Sequence, residues 1–114
     1  MKLLFVCSRN RLRSPTAEHL FGKVAGFETQ SAGTAADAET RLCTDQIEWA
    51  DIVFVMEPIH RKRMSQAFGK SLRDKRVVCL NIPDDFEYDD LELVRLLWDR
   101  VSQSVPELLS DRPD

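Results

Sequence analysis

The stretch Leu3-Leu4-Phe5-Val6-Cys7-Ser8-Arg9-Asn10-Arg11-Leu12-Arg13-Ser14-Pro15-Thr16-Ala17 passes from an unbroken apolar segment, through a polar loop rich in arginine, into a helix start. Consecutive apolar residues bounded by polar ones fit a strand covered on both faces. Ser14-Pro15 opens a helix with proline at the first helical position, and Ala17, Leu20, Phe21 and Val24 repeat along one face as far as Gly26. A buried strand that turns directly into a helix is the first half of a βαβ unit. The remainder of the chain repeats the alternation. Ile52 to Met56 and Val77-Val78-Cys79-Leu80 are further apolar runs, and Phe27 to Ser31 is a weaker strand candidate. Helical patterns separate them: a short one between Glu39 and Trp49, a basic one from Pro58 to Gly69, and a long stripe of Leu91, Val94, Leu97, Trp98 and Val101 that ends before Pro106. The order βαβαβαβα implies an α/β fold: a three-layer, flavodoxin-like, four-stranded parallel sheet in the order 2-1-3-4, with helices on both faces. Residues 1–109 make one domain in this reading, with a flexible tail at 110–114.

Ligands of such sheets bind at the carboxyl ends of the strands, beside the point where strand order reverses. The loops after Val6 and Leu80 are therefore where chemistry is expected. A loop that wraps from a strand into a helix N-terminus gathers backbone N–H groups and adds the positive end of the helix dipole, which makes a cradle for an oxyanion. Arg13 would clamp two phosphate oxygens with its planar fork. Cys7, at the mouth of the cradle, would have its nucleophilic thiolate form favoured by the same donors.

Composition narrows the remaining choices. The chain has 114 residues, 16 Lys and Arg against 19 Asp and Glu, and a net charge of −3. A negative balance argues against a general nucleic-acid binder, which needs a positive field to displace counterions. No apolar run approaches the ~18 residues needed to span a bilayer, and no export signal or membrane anchor is expected. Cys7, Cys43 and Cys79 are odd in number and widely spaced, unlike a secreted disulfide framework or a zinc knuckle. A reducing cytoplasm is the expected compartment, and neither a metal nor a cofactor is called for.

The segment Val6 to Glu18 resembles the active-site loop of the low-molecular-weight protein tyrosine phosphatases. Ser31-Ala32-Gly33-Thr34 resembles that family's stretch after the second strand, Ala50 to Met56 its third strand, and Ile82-Pro83-Asp84 its late acidic loop. The resemblance implies a phosphomonoester hydrolase, a tyrosine phosphatase working through a phosphocysteine on Cys7. Arg13 would bind the phosphate and Asp84 would serve as general acid. Ser8, Arg9, Asn10, Arg11, Leu12, Arg13 and Ser14 would form the phosphate loop, with Asn10 bracing it and Ser14 hydrogen-bonding the sulfur. A phosphorylated protein or a small phosphomonoester is the implied partner, and phosphate or sulfate an implied loop occupant.

Several positions depart from the family pattern. Asp85 follows Asp84 where the family usually has proline, so either carboxylate is a candidate acid, with Asp84 favoured by register. Leu12 stands where many members carry a second cysteine. Only Ala35 to Trp49 separates the Ser-Ala-Gly-Thr stretch from the third strand, where longer members have some 30 residues more, including an aromatic loop; Phe86 and Tyr88 are the remaining candidates to flank an aryl group. His19, His60 and the run Arg61 to Arg63 read as solvated helix faces, and Trp98 as core. Two other functions use the same loop. A thiol-linked arsenate reductase requires closely spaced relay cysteines, which Cys43 and Cys79 are not, and a non-catalytic phosphate-binding module requires only the cradle.

Overall fold

In the computed structural model, which describes residues 1–111, the elements run β1 (Lys2–Cys7), α1 (Arg13–Gly22), β2 (Glu28–Gly33), α2 (Thr44–Trp49), β3 (Ile52–Val55), α3 (Pro58–Leu72), β4 (Arg76–Cys79), α4 (Leu91–Ser102) and a closing 3-10 helix, Pro106–Asp111. All strand pairs are parallel and their order is β2-β1-β3-β4, as the alternating pattern predicts. β1 is flanked by β2 and β3 in register, with Phe5 opposite Ser31 and Phe54.

Side-chain alternation divides the core into two layers. Leu3, Phe5 and Cys7 of β1 share one face with Ile52 and Phe54 of β3, and pack with Phe21 of α1 and Leu93, Leu97, Trp98 and Val101 of α4. The rings of Phe54, Phe5, Phe21 and Trp98 stack in sequence, at centroid distances of 5.4, 5.5 and 5.2 Å. Leu4, Val6, Val53 and Val55 take the opposite face, with Ile47 of α2 and Met64 of α3. Each fully buried Leu or Phe contributes about 1.5–3 kcal/mol. The sheet that carries the loop after Cys7 is therefore held from both sides.

Element ends differ from the sequence reading in instructive ways. α1 begins at Arg13, which places Pro15 in the third helical position; the first-turn N–H groups have no intrahelical acceptor, so a proline there forfeits nothing. α1 stops at Gly22 rather than Gly26, where β2 already closes on its last turn: Thr29 Oγ1 donates to the Glu18 carbonyl at 2.8 Å, and a Cβ on Gly22 would lie 2.9 Å from the same oxygen. α3 continues through Gly69 to Leu72 because Phe68 and Leu72, one turn apart, both pack on the second core layer, and Phe68 absorbs the bend at φ −132°, ψ 29°. Ser110 and Asp111, placed in the flexible tail by the sequence reading, close the 3-10 helix; residues 112–114 lie outside the described residues. No helix among the described residues is long and apolar enough to cross a membrane.

Candidate active site

Cys7 ends β1, one of the two inner strands, and is 3% exposed. The chain beyond it must reverse within a few residues to start α1. Asn10 achieves this with φ 56°, in the left-handed region that asparagine tolerates better than most side chains. The carbonyls of the loop face outward to the segment after β2: Thr34 N–H donates to Cys7 O at 3.0 Å, Ala35 N–H to Ser8 O at 2.9 Å, and Glu39 N–H to Arg9 O at 3.0 Å. Gly33 allows this close lacing, because a Cβ there would lie 2.5 Å from Ser8 O and 2.6 Å from Ala38 Cβ. With its carbonyls so engaged, no backbone N–H from Ser8 to Arg13 donates to a protein acceptor among the described residues. α1 also lacks a side-chain cap and any acidic residue in its first turn. These free donors and the uncapped helix end make the loop an anion receptor.

A chain of side-chain hydrogen bonds runs beneath it, and its polarity is set by a carboxylate. Ser31 Oγ donates to Glu18 Oε1, an acceptor only. Ser31 thus receives Asn10 Nδ2–H at 2.8 Å, and the other Nδ2–H reaches Ser14 Oγ at 2.9 Å. The one Ser14 hydroxyl proton then has two acceptors in reach, Cys7 Sγ at 2.9 Å and the Ala32 carbonyl at 3.5 Å, and a Cys7 thiolate, which can only accept, is the nearer of them. A donated proton at this position stabilises a thiolate. Ser31 and Glu18 fall within the stretches that carry the resemblance, but their bonding partners are set by the fold: the pairing of β1 with β2 brings one beneath the loop, and α1 brings the other.

Arg13 is 3% exposed. Its Nη1 donates to Glu57 Oε1 at 2.5 Å and to Ile82 O at 2.7 Å, while Nε lies 3.6 Å from Asp84 Oδ1. The buried guanidinium is thereby neutralised and fixed, with Nη2 and Nε left for two oxygens of a tetrahedral anion. Ile82 is held in turn by its own N–H to Met56 O at 2.8 Å. The backbone that carries Asp84 is tied down by Arg100 of α4, which donates to Leu80 O at 2.5 Å.

His60 contradicts its reading as a solvated residue: its side chain is 0% exposed. Glu57 N–H donates to Nδ1 at 3.0 Å, which leaves the ring proton on Nε2, directed to Ser8 Oγ at 2.9 Å. Burial and the Arg13 charge lower the His60 pKa from 6.5 to about 4, outweighing the opposing pull of Glu57. The ring is therefore neutral at physiological pH. Because Ser8 Oγ accepts from it, the Ser8 hydroxyl proton remains available to an anion in the loop. The sequence signal was present in the spacing: Glu57-Pro58-Ile59-His60 is a helix N-terminus in which residue N3 reaches back to the N-cap, as in a capping box.

The loop forms the floor of a cleft of about 530 Å3, walled by Ala35, Asp37, Arg63 and Asp84. Arg9 and Arg11 stand at the rim, paired with Asp37 at 3.8 Å and Glu39 at 3.4 Å. Asp85 does not line the cleft. Nor do the two aromatic candidates: Phe86 packs against the first core layer, and Tyr88 sits beside His19 at 6.4 Å, on a different pocket. Arg61 to Arg63 are exposed, as their reading as a solvated face expects; within that run Arg63 also lines the cleft and Arg61 donates to Val77 O. Cys43 is exposed at the N-cap of α2 and Cys79 is partly buried on β4, and neither lines the cleft. No cluster of His, Cys, Asp or Glu among the described residues is arranged to hold a metal ion.

A four-stranded parallel sheet in this order, with helices packed around it, matches the fold of solved low-molecular-weight protein tyrosine phosphatases. No family model and no curated protein sequence matches the chain; solved structures do. The YwlE arginine phosphatase from Geobacillus stearothermophilus has a TM-score of 0.72 at 25% identity, over 99% of this chain and 98% of that one. Wzb from Vibrio vulnificus, in complex with benzylphosphonate, has a TM-score of 0.76 at 19% identity over 94% and 98% of the two chains. The low-molecular-weight protein tyrosine phosphatase from Streptococcus pyogenes has a TM-score of 0.74 at 16% identity over 94% and 92%.

Proposed function

We propose that the protein is a phosphomonoester hydrolase of the tyrosine-phosphatase type, acting through a phosphocysteine on Cys7, with residues 1–109 as one catalytic domain. The observation that carries this reading is the position of Cys7 Sγ in a loop whose N–H groups are free, with the Ser14 hydroxyl beside the sulfur and Arg13 and Asp84 on the same cleft. The Cys7 thiolate attacks phosphorus and the bond to the leaving oxygen breaks. Asp84 gives that oxygen its proton. Arg13, the Ser8 hydroxyl and the loop N–H groups hold the equatorial oxygens as charge spreads over them. In the second step the Asp84 carboxylate takes a proton from water, the water oxygen attacks phosphorus, and the Cys7 thiolate departs, leaving inorganic phosphate. Support comes also from a YwlE variant solved with its active-site serine phosphorylated and from an Escherichia coli Wzb solved with phosphate. Phosphorylated proteins and small phosphomonoesters both fit as partners, and a reducing cytoplasm suits a free nucleophilic thiol.

The decisive experiment is steady-state hydrolysis of 4-nitrophenyl phosphate, with vanadate binding measured in parallel. Cys7→Ser is expected to lose all turnover while still binding vanadate. Turnover at the wild-type rate in Cys7→Ser overturns the mechanism. Vanadate binding by a wild-type protein that hydrolyses no phosphoester makes it a binding module instead.

A further inference from the structure

The cleft recognises phosphate, but its walls hold no aromatic side chain to grip a ring; charge takes that place. Three of the arginines on the cleft are already partnered: Arg13 by Glu57, Arg9 by Asp37 and Arg11 by Glu39. Arg63 is not. It is exposed, and among the described residues it makes no ion pair and no side-chain hydrogen bond; one turn beyond buried His60 and next to buried Met64, it lines the cleft from α3.

Arg63 also borders a second recess of about 70 Å3, whose lining includes Arg41. Arg41 likewise has no ion-pair partner among the described residues. Its backbone is fixed: it bridges to Gly33, with Gly33 N–H donating to Thr40 O at 2.8 Å and Leu42 N–H to Gly33 O at 2.9 Å. The short segment after β2 thus places an arginine on the recess that shares Arg63 with the cleft. Two unpaired guanidinium groups on adjoining recesses, one shared with the catalytic cleft, have no structural partner to account for them.

We propose that the substrate is a phosphomonoester whose leaving group carries a second anionic group, a carboxylate or a phosphate, received by Arg63 and Arg41 in the recess beside the cleft. This rests on the phosphatase reading above and names the substrate class for it. An anion there gains a pair of cations without breaking an existing salt bridge, whereas a cationic leaving group, such as the guanidinium of a phosphoarginine, would be repelled by both.

The test compares kcat/KM for 4-carboxyphenyl phosphate and for its neutral isostere 4-carbamoylphenyl phosphate, in wild type, Arg63→Gln, Arg63→Glu and the double variant Arg41→Gln/Arg63→Gln. Using the ratio of the two substrates within each protein cancels the intrinsic difference between leaving groups. Relative to wild type, the carboxylate-to-amide ratio is expected to fall about threefold in Arg63→Gln and about tenfold in the double variant, with a larger loss on charge reversal. Added salt is expected to shrink the wild-type ratio and to leave that of the double variant nearly constant. Two further pairs distinguish the source of the anion: a phosphotyrosine peptide with flanking glutamates against the same peptide with glutamines, and a hexose bisphosphate against its monophosphate. A variant effect confined to one pair identifies that source. Equal losses on charged and neutral members of every pair overturn the inference while leaving the phosphatase reading intact; absence of turnover on all substrates by wild type overturns the phosphatase reading itself.

Discussion

His60 makes the fold sensitive to mild acid, and the size of that sensitivity follows from its surroundings. In the unfolded chain the ring titrates near 6.5; in the native protein burial and Arg13 hold its pKa at about 4. Above pH 6.5 the ring is neutral in both states and costs nothing. As the pH falls below 6.5 the unfolded ring takes up a proton that the folded ring refuses, so the unfolded state is favoured progressively down to pH 4. At pH 5 the difference amounts to about 2 kcal/mol, and it approaches about 3 kcal/mol near pH 4. Carboxylates titrate mainly below this window, so urea unfolding at pH 7.5, 6 and 5 in phosphate-free buffer isolates the effect. Wild type is expected to lose about 2 kcal/mol between pH 7.5 and 5, whereas His60→Gln, less stable at pH 7.5, is expected to change little over the same range. The ring resonances of His60 in a proton NMR titration supply the direct check. Parallel losses in wild type and His60→Gln, or a native titration midpoint at 6 or above, would refute the assignment of a buried neutral ring.

Gly33→Ala places a methyl group 2.5 Å from the Ser8 carbonyl, so either the loop or β2 must move; a loss of about 1–3 kcal/mol by thermal unfolding, with a fall in kcat/KM, is expected. Glu57→Gln removes the charge that neutralises Arg13 while Ile82 O remains. Since Glu57 is partly exposed, the expected stability loss is about 1–2 kcal/mol, well below that for a fully buried pair, and vanadate affinity should weaken as Arg13 loses its orientation. Asp84→Asn should depend on the leaving group: a loss of about 10²–10⁴ in kcat on a phosphorylated alkanol, much less on 4-nitrophenyl phosphate, and no comparable loss on either in Asp85→Asn. Full activity of Asp84→Asn on the poor leaving group would shift the acid elsewhere.

Strand and helix alternation, sheet order and the phosphate loop are local in origin. Period and punctuation mark Leu3 to Val6, the helix start at Ser14-Pro15 and the stripe of α4, and right-handed crossovers leave few ways to join them. Cys7, Arg13 and Ser14 sit within eight residues of one another, so their constellation could be read directly from the chain. Helix ends are less legible: α1 stops short of Gly26, where β2 closes on it, and α3 runs past Gly69 to pack Phe68 and Leu72 on the second core layer.

The supporting shell is local only in the Glu57–His60 spacing; what its members touch is not. Glu57 and His60 meet Arg13 and Ser8 across separations of 44 and 52 residues, and Ser31 meets Asn10 across 21; only the parallel pairing of β1 with β2 and β3 brings them together. Composition could say that arginines outnumber what a phosphate needs, but not which remain uncompensated: Arg9 and Arg11 find acids on the segment after β2, while Arg63 lines the cleft from α3. The shortened segment after β2, which in the sequence alone registers as a missing aromatic wall, becomes in three dimensions the strap that laces the phosphate loop and places Arg41 on the recess that shares Arg63 with the cleft. Nucleophile and cradle are legible because one short loop contains them, whereas the neutral histidine, the oriented serine and the unpaired arginines depend on distances between distant segments, which no residue pattern encodes.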